Sequence, residues 1–180
     1  MKTFLKLLLL FLTISCVKDL DFNQAEDLEL YPEVAVSLVK FDLTESELSP
    51  AGSGVYQLSQ EVDFTAFDNS TAQEDLTRVD LDFEISNEFN RDFTLEFTFL
   101  DDNDVATYMP IVLNVDANQT DYAYQEQIII SNNPNFLNSQ KIQITVTILA
   151  STDGSTIDPT IPKTFTFKSG GTFHFTIDSL

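Results

Sequence analysis

The sequence predicts an all-β protein, an antiparallel β-sandwich of about seven to nine strands. Three observations carry this. Apolar residues alternate with polar ones along short segments from residue 31 onward, the two-residue period of half-buried strands. Turn-forming Asn, Asp, Gly and Pro separate those segments. Beyond the first 15 residues no stretch shows a sustained helical period, and strand-favouring Phe is abundant, with 16 Phe and 5 Tyr but no Trp.

The elements follow in order. Val34, Val36 and Leu38 share a face, then Val39, Phe41 and Leu43 continue with shifted parity. A β-bulge restores the facing; a strand buried on both faces is the alternative. A second strand covers 56–67, with Val62, Phe64 and Ala66 inward, and 68–75 reads as a polar loop. The clearest strand is 78–86, where Val79, Leu81, Phe83 and Ile85 alternate with Arg78, Asp80, Asp82 and Glu84. After a loop over 87–92, Phe93, Leu95, Phe97 and Phe99 alternate in the same way, and the pair reads as a hairpin with one wet face. Strands over 107–115 and 122–130 follow, Pro110 marking an edge or a strand start. A helical turn at 136–139 precedes a strong strand through Ile142, Ile144, Val146 and Ile148. The chain closes on strands 164–168 and 172–178, joined by Ser169-Gly170-Gly171. A closed barrel is the alternative fold. An outer-membrane barrel needs longer strands with aromatic girdles.

The first residues form a separate unit. Met1-Lys2 is followed by an apolar run from Phe4 to Ile14, interrupted by Lys6 and Thr13, then Ser15 and the single cysteine, Cys16. A basic start, an apolar run and a small residue before the cut read as a secretory signal. The run, about 11 residues, is too short to span a bilayer. The expected division is a signal peptide over 1–15, Cys16 with an acidic tether over 16–30, and the sandwich over 31–180. One cysteine forms no intrachain disulfide, so the domain depends on its core, which a chain of this length can build.

Composition narrows the partners. Lys and Arg total 9 against 29 Asp and Glu, a formal charge of −20. Such a field repels nucleic acid and anionic membrane surfaces. No basic patch and no glycine-rich phosphate loop appears.

Leu12-Thr13-Ile14-Ser15-Cys16 resembles the lipobox of bacterial lipoproteins. That resemblance implies a thiol diacylated at Cys16, cleavage before it, and a third chain on the new amino terminus. Two or three chains hold a protein stably where one does not. Lys18-Asp19 and the acidic residues after it resemble the export signals of Bacteroidota lipoproteins. They imply the outer face of the outer membrane, a periplasm-facing domain being the alternative. The stretch from Val79 to Leu100, with its Arg91-Asp92-Phe93 and Phe99-Leu100-Asp101-Asp102, is similar to small immunoglobulin-like lipoproteins common in that phylum. It implies an immunoglobulin-like sandwich and no particular activity.

Candidate chemistry is sparse. His174, the single histidine, lies between Phe173 and Phe175 and shares a face with Thr172 and Thr176, the solvent side. No Gly-x-Ser-x-Gly elbow accompanies it, so a Ser-His-Asp site is not expected. Zinc is not expected with one histidine and one lipidated cysteine. Asp101-Asp102-Asn103-Asp104 is the best oxygen cluster for calcium, with Asp101, Asp102 and Asp104 as ligands, though it lacks the glycine and distal glutamate of an EF-hand. A surface turn explains it more simply, since Asp and Asn favour turns. Tyr122 and Tyr124 share a strand face near Tyr108 and are the candidates for stacking on a ligand such as a sugar. No cofactor and no catalytic residue is expected. The expected function is a non-catalytic, lipid-anchored module binding an envelope or extracellular component. The alternatives are a glycan-binding accessory lipoprotein and a hydrolase with a cleft of perturbed carboxylates.

Overall fold

The computed structural model describes residues 29–68 and 70–177. Cys16, Lys18 and Asp19 lie outside them. The chain divides into a unit over 31–176 and a smaller one whose described part is Glu29, Leu30 and Ile177, where Leu30 and Ile177 each donate an amide to the other's carbonyl at 3.0 and 2.9 Å.

The larger unit is an antiparallel sandwich of eight strands: β1 (Glu33–Thr44), β2 (Tyr56–Asp63), β3 (Leu76–Asn87), β4 (Phe93–Leu100), β5 (Ile111–Val115), β6 (Tyr122–Ile129), β7 (Lys141–Ile148) and β8 (Thr164–Phe175). One sheet runs β1-β8-β3-β6 and the other β2-β7-β4-β5. The all-β sandwich is therefore as the sequence predicts, and the strand order refines it. Pairs 1–8, 2–7, 3–6 and 4–5 are each hydrogen-bonded neighbours. That is the double-wound jelly roll of four plus four strands, not the order of an immunoglobulin domain.

Three local expectations change. β3 and β4 form no hairpin, because each lies in a different sheet. The intervening residues carry Phe89 and Arg91, which are 2% and 4% exposed, so the link crosses the core end between the sheets. The two C-terminal strands are one strand, β8, running through Gly170 and Gly171 and pairing with β1 on one side and β3 on the other. A Cβ on Gly171 would lie 3.1 Å from the Phe173 ring and 3.5 Å from both Leu38 and Leu81. The glycine there sits in close packing that a larger side chain would crowd, and it is no turn. The 68–75 segment also contains a short helix, Ser70–Asp75, of residues that include the helix formers Ala72, Gln73 and Glu74.

The predicted bulge is present. β1 shifts register between Ser37 and Val39. Ser169 repairs the interrupted ladder: its Oγ accepts from the Val39 amide at 3.1 Å and donates to the Val39 carbonyl at 3.2 Å.

Phenylalanines fill the space between the sheets in three groups. Phe93 stacks on Phe165 at 4.4 Å at one end. Phe83, Phe97 and Phe167 meet at 5.2 to 6.2 Å in the middle. Phe64, Phe67, Phe99, Phe136 and Phe173 fill the other end, where Phe99 and Phe136 meet edge to face at 4.8 Å. Each ring removed from water contributes about 1.5–3 kcal/mol, which is how a domain without disulfides is held.

Candidate functional site

Four strands are sheet edges: β1 and β6 in one sheet, β2 and β5 in the other. The chain passes from β1 to β2 and from β5 to β6 by crossing between sheets, so the sandwich has two lateral seams. The candidate residues fall around them and on the outer face of the β1-containing sheet.

The β5–β6 seam carries the tyrosines. Tyr124 pairs in register with Phe83, and Tyr122 with Ile85, both core residues. Directly opposed residues point to the same side of a sheet, so both tyrosines lie on the inner side of β6, at its rim. Tyr124 is 38% exposed, and its ring lies 6.3 Å from Phe83. Its hydroxyl donates to Glu126 Oε2 at 2.6 Å, while Tyr108 donates to Glu126 Oε1 at 2.7 Å. One carboxylate thereby latches the 101–110 loop to the edge of the other sheet. Burial, followed by the hydrogen bond to Glu126 and its charge, pushes the Tyr108 phenol well above its usual value. The structure brings Tyr108 and Tyr124 together through Glu126, which sequence reading did not single out.

The β1–β2 seam has no such latch among the described residues. Between Phe41 and Leu43 of β1 and Leu58 of β2 runs a groove of ≈ 300 Å³, floored by Ile144 and Val146. A second hollow of ≈ 220 Å³ lies further along, between Val36 and Leu38 on one side and Phe64 and Ile142 on the other. Val34 and Val36 are 48% and 39% exposed although they sit opposite Phe173 and Gly171 on the inner face.

His174 lies on the outer face, as its neighbours predict, within a polar row that crosses all four strands of the sheet. Glu33 Oε1 is 2.9 Å from Nδ1, and Asp80 Oδ2 is 2.8 Å from Nε2. Arg78 Nη2 is 3.0 Å from the same Asp80 oxygen, and Gln127 donates to Asp80 Oδ1 at 3.0 Å. Partial burial raises the Asp80 carboxyl, but hydrogen bonds from Gln127 and His174 and the Arg78 charge outweigh it, so the net shift is downward.

The Asp101 loop is a turn closed on itself. Asp101 Oδ1 accepts from the amides of Asn103 and Val105 at 2.8 and 2.9 Å. Asp104, at φ 60°, holds Lys141 Nζ at 2.6 Å, and Asp102 is exposed. Among the described residues no group of three or more His, Cys, Asp or Glu is placed to hold a metal ion, and no helix is long and apolar enough to cross a membrane.

The most constrained polar groups lie at the 87–93 end. Asn87, fully buried, donates to the carbonyls of Arg91 and Asp116, both at 2.8 Å, and accepts from the Phe89 amide at 3.0 Å. Arg91 donates to the carbonyls of Leu149 (2.8 Å from Nε), Gly52 (2.9 Å) and Gly54 (2.6 Å), and a second nitrogen, Nη2, also reaches Leu149. Burial lowers the guanidinium from its usual value, and Asp153 opposes that.

No family model matches the sequence, and no curated protein matches it. Among solved structures, a candidate secreted protein from Parabacteroides distasonis ATCC 8503 is similar at a TM-score of 0.52 and 16% identity; the match covers 70% of this chain and 40% of that one. The enzymatically active domain of bacteriophage CBA120 tailspike protein 4 is more distant, at 0.38 and 12%, covering 82% of this chain and 19% of that one. Desmodium yellow mottle tymovirus stands at 0.36 and 12%, covering 83% and 82%. The likeness is one of fold.

Proposed function

We propose that this chain is an extracytoplasmic lipoprotein, acylated at Cys16, whose jelly-roll domain is a non-catalytic module that binds another macromolecule of the envelope or its surroundings. The observation that carries the binding reading is how the polar side chains are spent. Arg91 and Asn87 are committed to backbone carbonyls, Glu126 to two tyrosines, and His174 to Glu33 and Asp80 on an open sheet face. What the domain leaves unspent is strand edge and an apolar seam, features that suit macromolecular contact. The anchor rests on the order of basic start, apolar run, Ser15 and Cys16. The Lys18-Asp19 pair favours export to the outer face of the outer membrane. Folds of this kind host many activities, so the reading rests on the residues and not on the fold.

The test uses an epitope-tagged full-length chain and its Cys16→Ser variant, fed a clickable fatty acid, with protease added to intact cells. Label on the parent alone, with cleavage of the parent before lysis, is the expected result. Label on Cys16→Ser would remove the anchor. Protection until lysis would place the domain in the periplasm.

A further inference from the structure

We propose that the β1–β2 seam is a docking site for an extended, basic segment of a partner protein. The segment adds as a strand beside β1 and lays its alternate apolar side chains into the groove over Leu58. This deepens the binding reading above and rests on it.

The two seams are equivalent in the topology and differ in chemistry. Glu126, Tyr108 and Tyr124 tie the β5–β6 side across. The β1–β2 side presents Phe41, Leu43 and Leu58, all half-buried, above a floor of Ile144 and Val146. β1 is a 12-residue edge, whereas β5 has 5 residues. Unpaired amides and carbonyls along such an edge are a template for another strand. The bulge at Ser37–Val39 and the one lysine of the strand, Lys40, guard the N-terminal half and the centre. Ser169 takes up the Val39 amide and carbonyl, and Glu47 Oε2 accepts from the Thr44 amide at 2.8 Å. The free stretch is then Phe41–Leu43, which lies directly beside the groove.

The occupant's chemistry follows from shape and charge. The two hollows run along the strands for about 20 Å from Leu43 to Val36, at a strand's rise per residue. That matches a chain laid lengthwise better than a compact ligand. Their linings contain Asp42, Glu47 and Asp63 and no lysine or arginine. On a chain of −20, an acidic partner is repelled and a basic one is drawn in. Alternation of apolar and basic residues satisfies the floor and the rim together, since successive side chains point to opposite faces.

The experiment uses the chain from residue 17, purified without its lipid, and three fluorescein-labelled peptides of about ten residues. One alternates Val or Ile with Lys or Thr, one has the same composition with its apolar residues in a block, and one carries Glu in place of Lys. Anisotropy gives affinities, and amide shifts give the location. The expected result is that the alternating basic peptide binds at least about tenfold tighter than either control. Shifts should centre on Phe41–Leu43 and Leu58, and Leu58→Glu should weaken binding about tenfold while the unfolding temperature stays near the parent's. Asp42→Lys, an exposed rim change, should weaken binding severalfold, and Val112→Glu on β5 should leave it unchanged. Equal binding of the blocked peptide would reduce the attraction to charge alone and overturn the assignment, as would unaltered binding by Leu58→Glu. Concentration-dependent dimerisation abolished by Leu58→Glu would put a second copy in the seam instead. Because the protein used has no lipid, failure here leaves the fatty-acid result untouched, and failure there leaves this one untouched.

Discussion

Arg91 is a cation placed where a cation is costly. It is 4% exposed and its partners are carbonyls of Leu149, Gly52 and Gly54, and among the described residues no carboxylate forms an ion pair with it. It fastens the β1–β2 and β7–β8 connections to the β3–β4 link. Arg91→Met fills much of the volume but strands those carbonyls. We expect a loss of about 2–4 kcal/mol, read as a lower urea midpoint with an unchanged m-value. Gly171 is constrained by the opposite cause, too little room. Gly171→Val places methyl groups where Phe173, Leu38 and Leu81 already press, and overpacking of this kind costs about 1–3 kcal/mol. Calorimetry of that variant checks the claim that the glycine serves packing inside β8 and makes no turn.

At the scale of elements, the edge strands divide the molecule's behaviour. β6 depends on the Glu126 latch, and that latch has a pH signature. The Tyr108 phenol is raised above the ordinary phenol range by burial, by the hydrogen bond to Glu126 and by its charge. A raised folded value means the contribution is fully present below about pH 10 and is lost as pH rises through the folded value. Stability should therefore fall on alkaline titration from about pH 10 upward, and Tyr108→Phe should flatten that fall. A parent and variant with parallel alkaline curves would show the latch to be energetically idle. The same strands show what sequence can carry. Strict alternation in β3, β4 and β7 gave their faces directly, because a two-residue period is a local property. The parity change at Val39 likewise announced the bulge. Which strand pairs with which is not local. Phe93 continues the pattern of Ile85 as a hairpin would, and only Phe89 and Arg91 buried in the link show the chain changing sheets. Gly170-Gly171 looks like a turn in sequence, and is strand because β1 and β3 both press on it. Glu126 reads as an ordinary outward charge until the register puts it opposite Leu81.

For the molecule as a whole, the balance of charge acts on every element at once. The described ion pairs between a cation and a carboxylate include Arg78–Asp80, Lys141–Asp104 and Lys168–Glu84, the last at 3.7 Å. With 9 basic against 29 acidic residues, carboxylates far outnumber cations. At about 10 mM salt the screening length is about 30 Å, comparable with the length of the 12-residue strands, so repulsion sums over the entire sandwich. At about 150 mM it is about 8 Å, and each acid feels little beyond its neighbours. Surface ion pairs are weakened by the same salt, but each is worth about 0–1 kcal/mol and they are outnumbered. Relief of repulsion should win. We expect the unfolding temperature to rise by about 2–6 °C between those conditions, which corresponds to a gain of about 1–2 kcal/mol for a domain of this size. A flat or falling temperature would mean that the ion pairs, Arg78–Asp80 on the outer sheet face among them, hold the fold against its own charge more strongly than their exposure suggests.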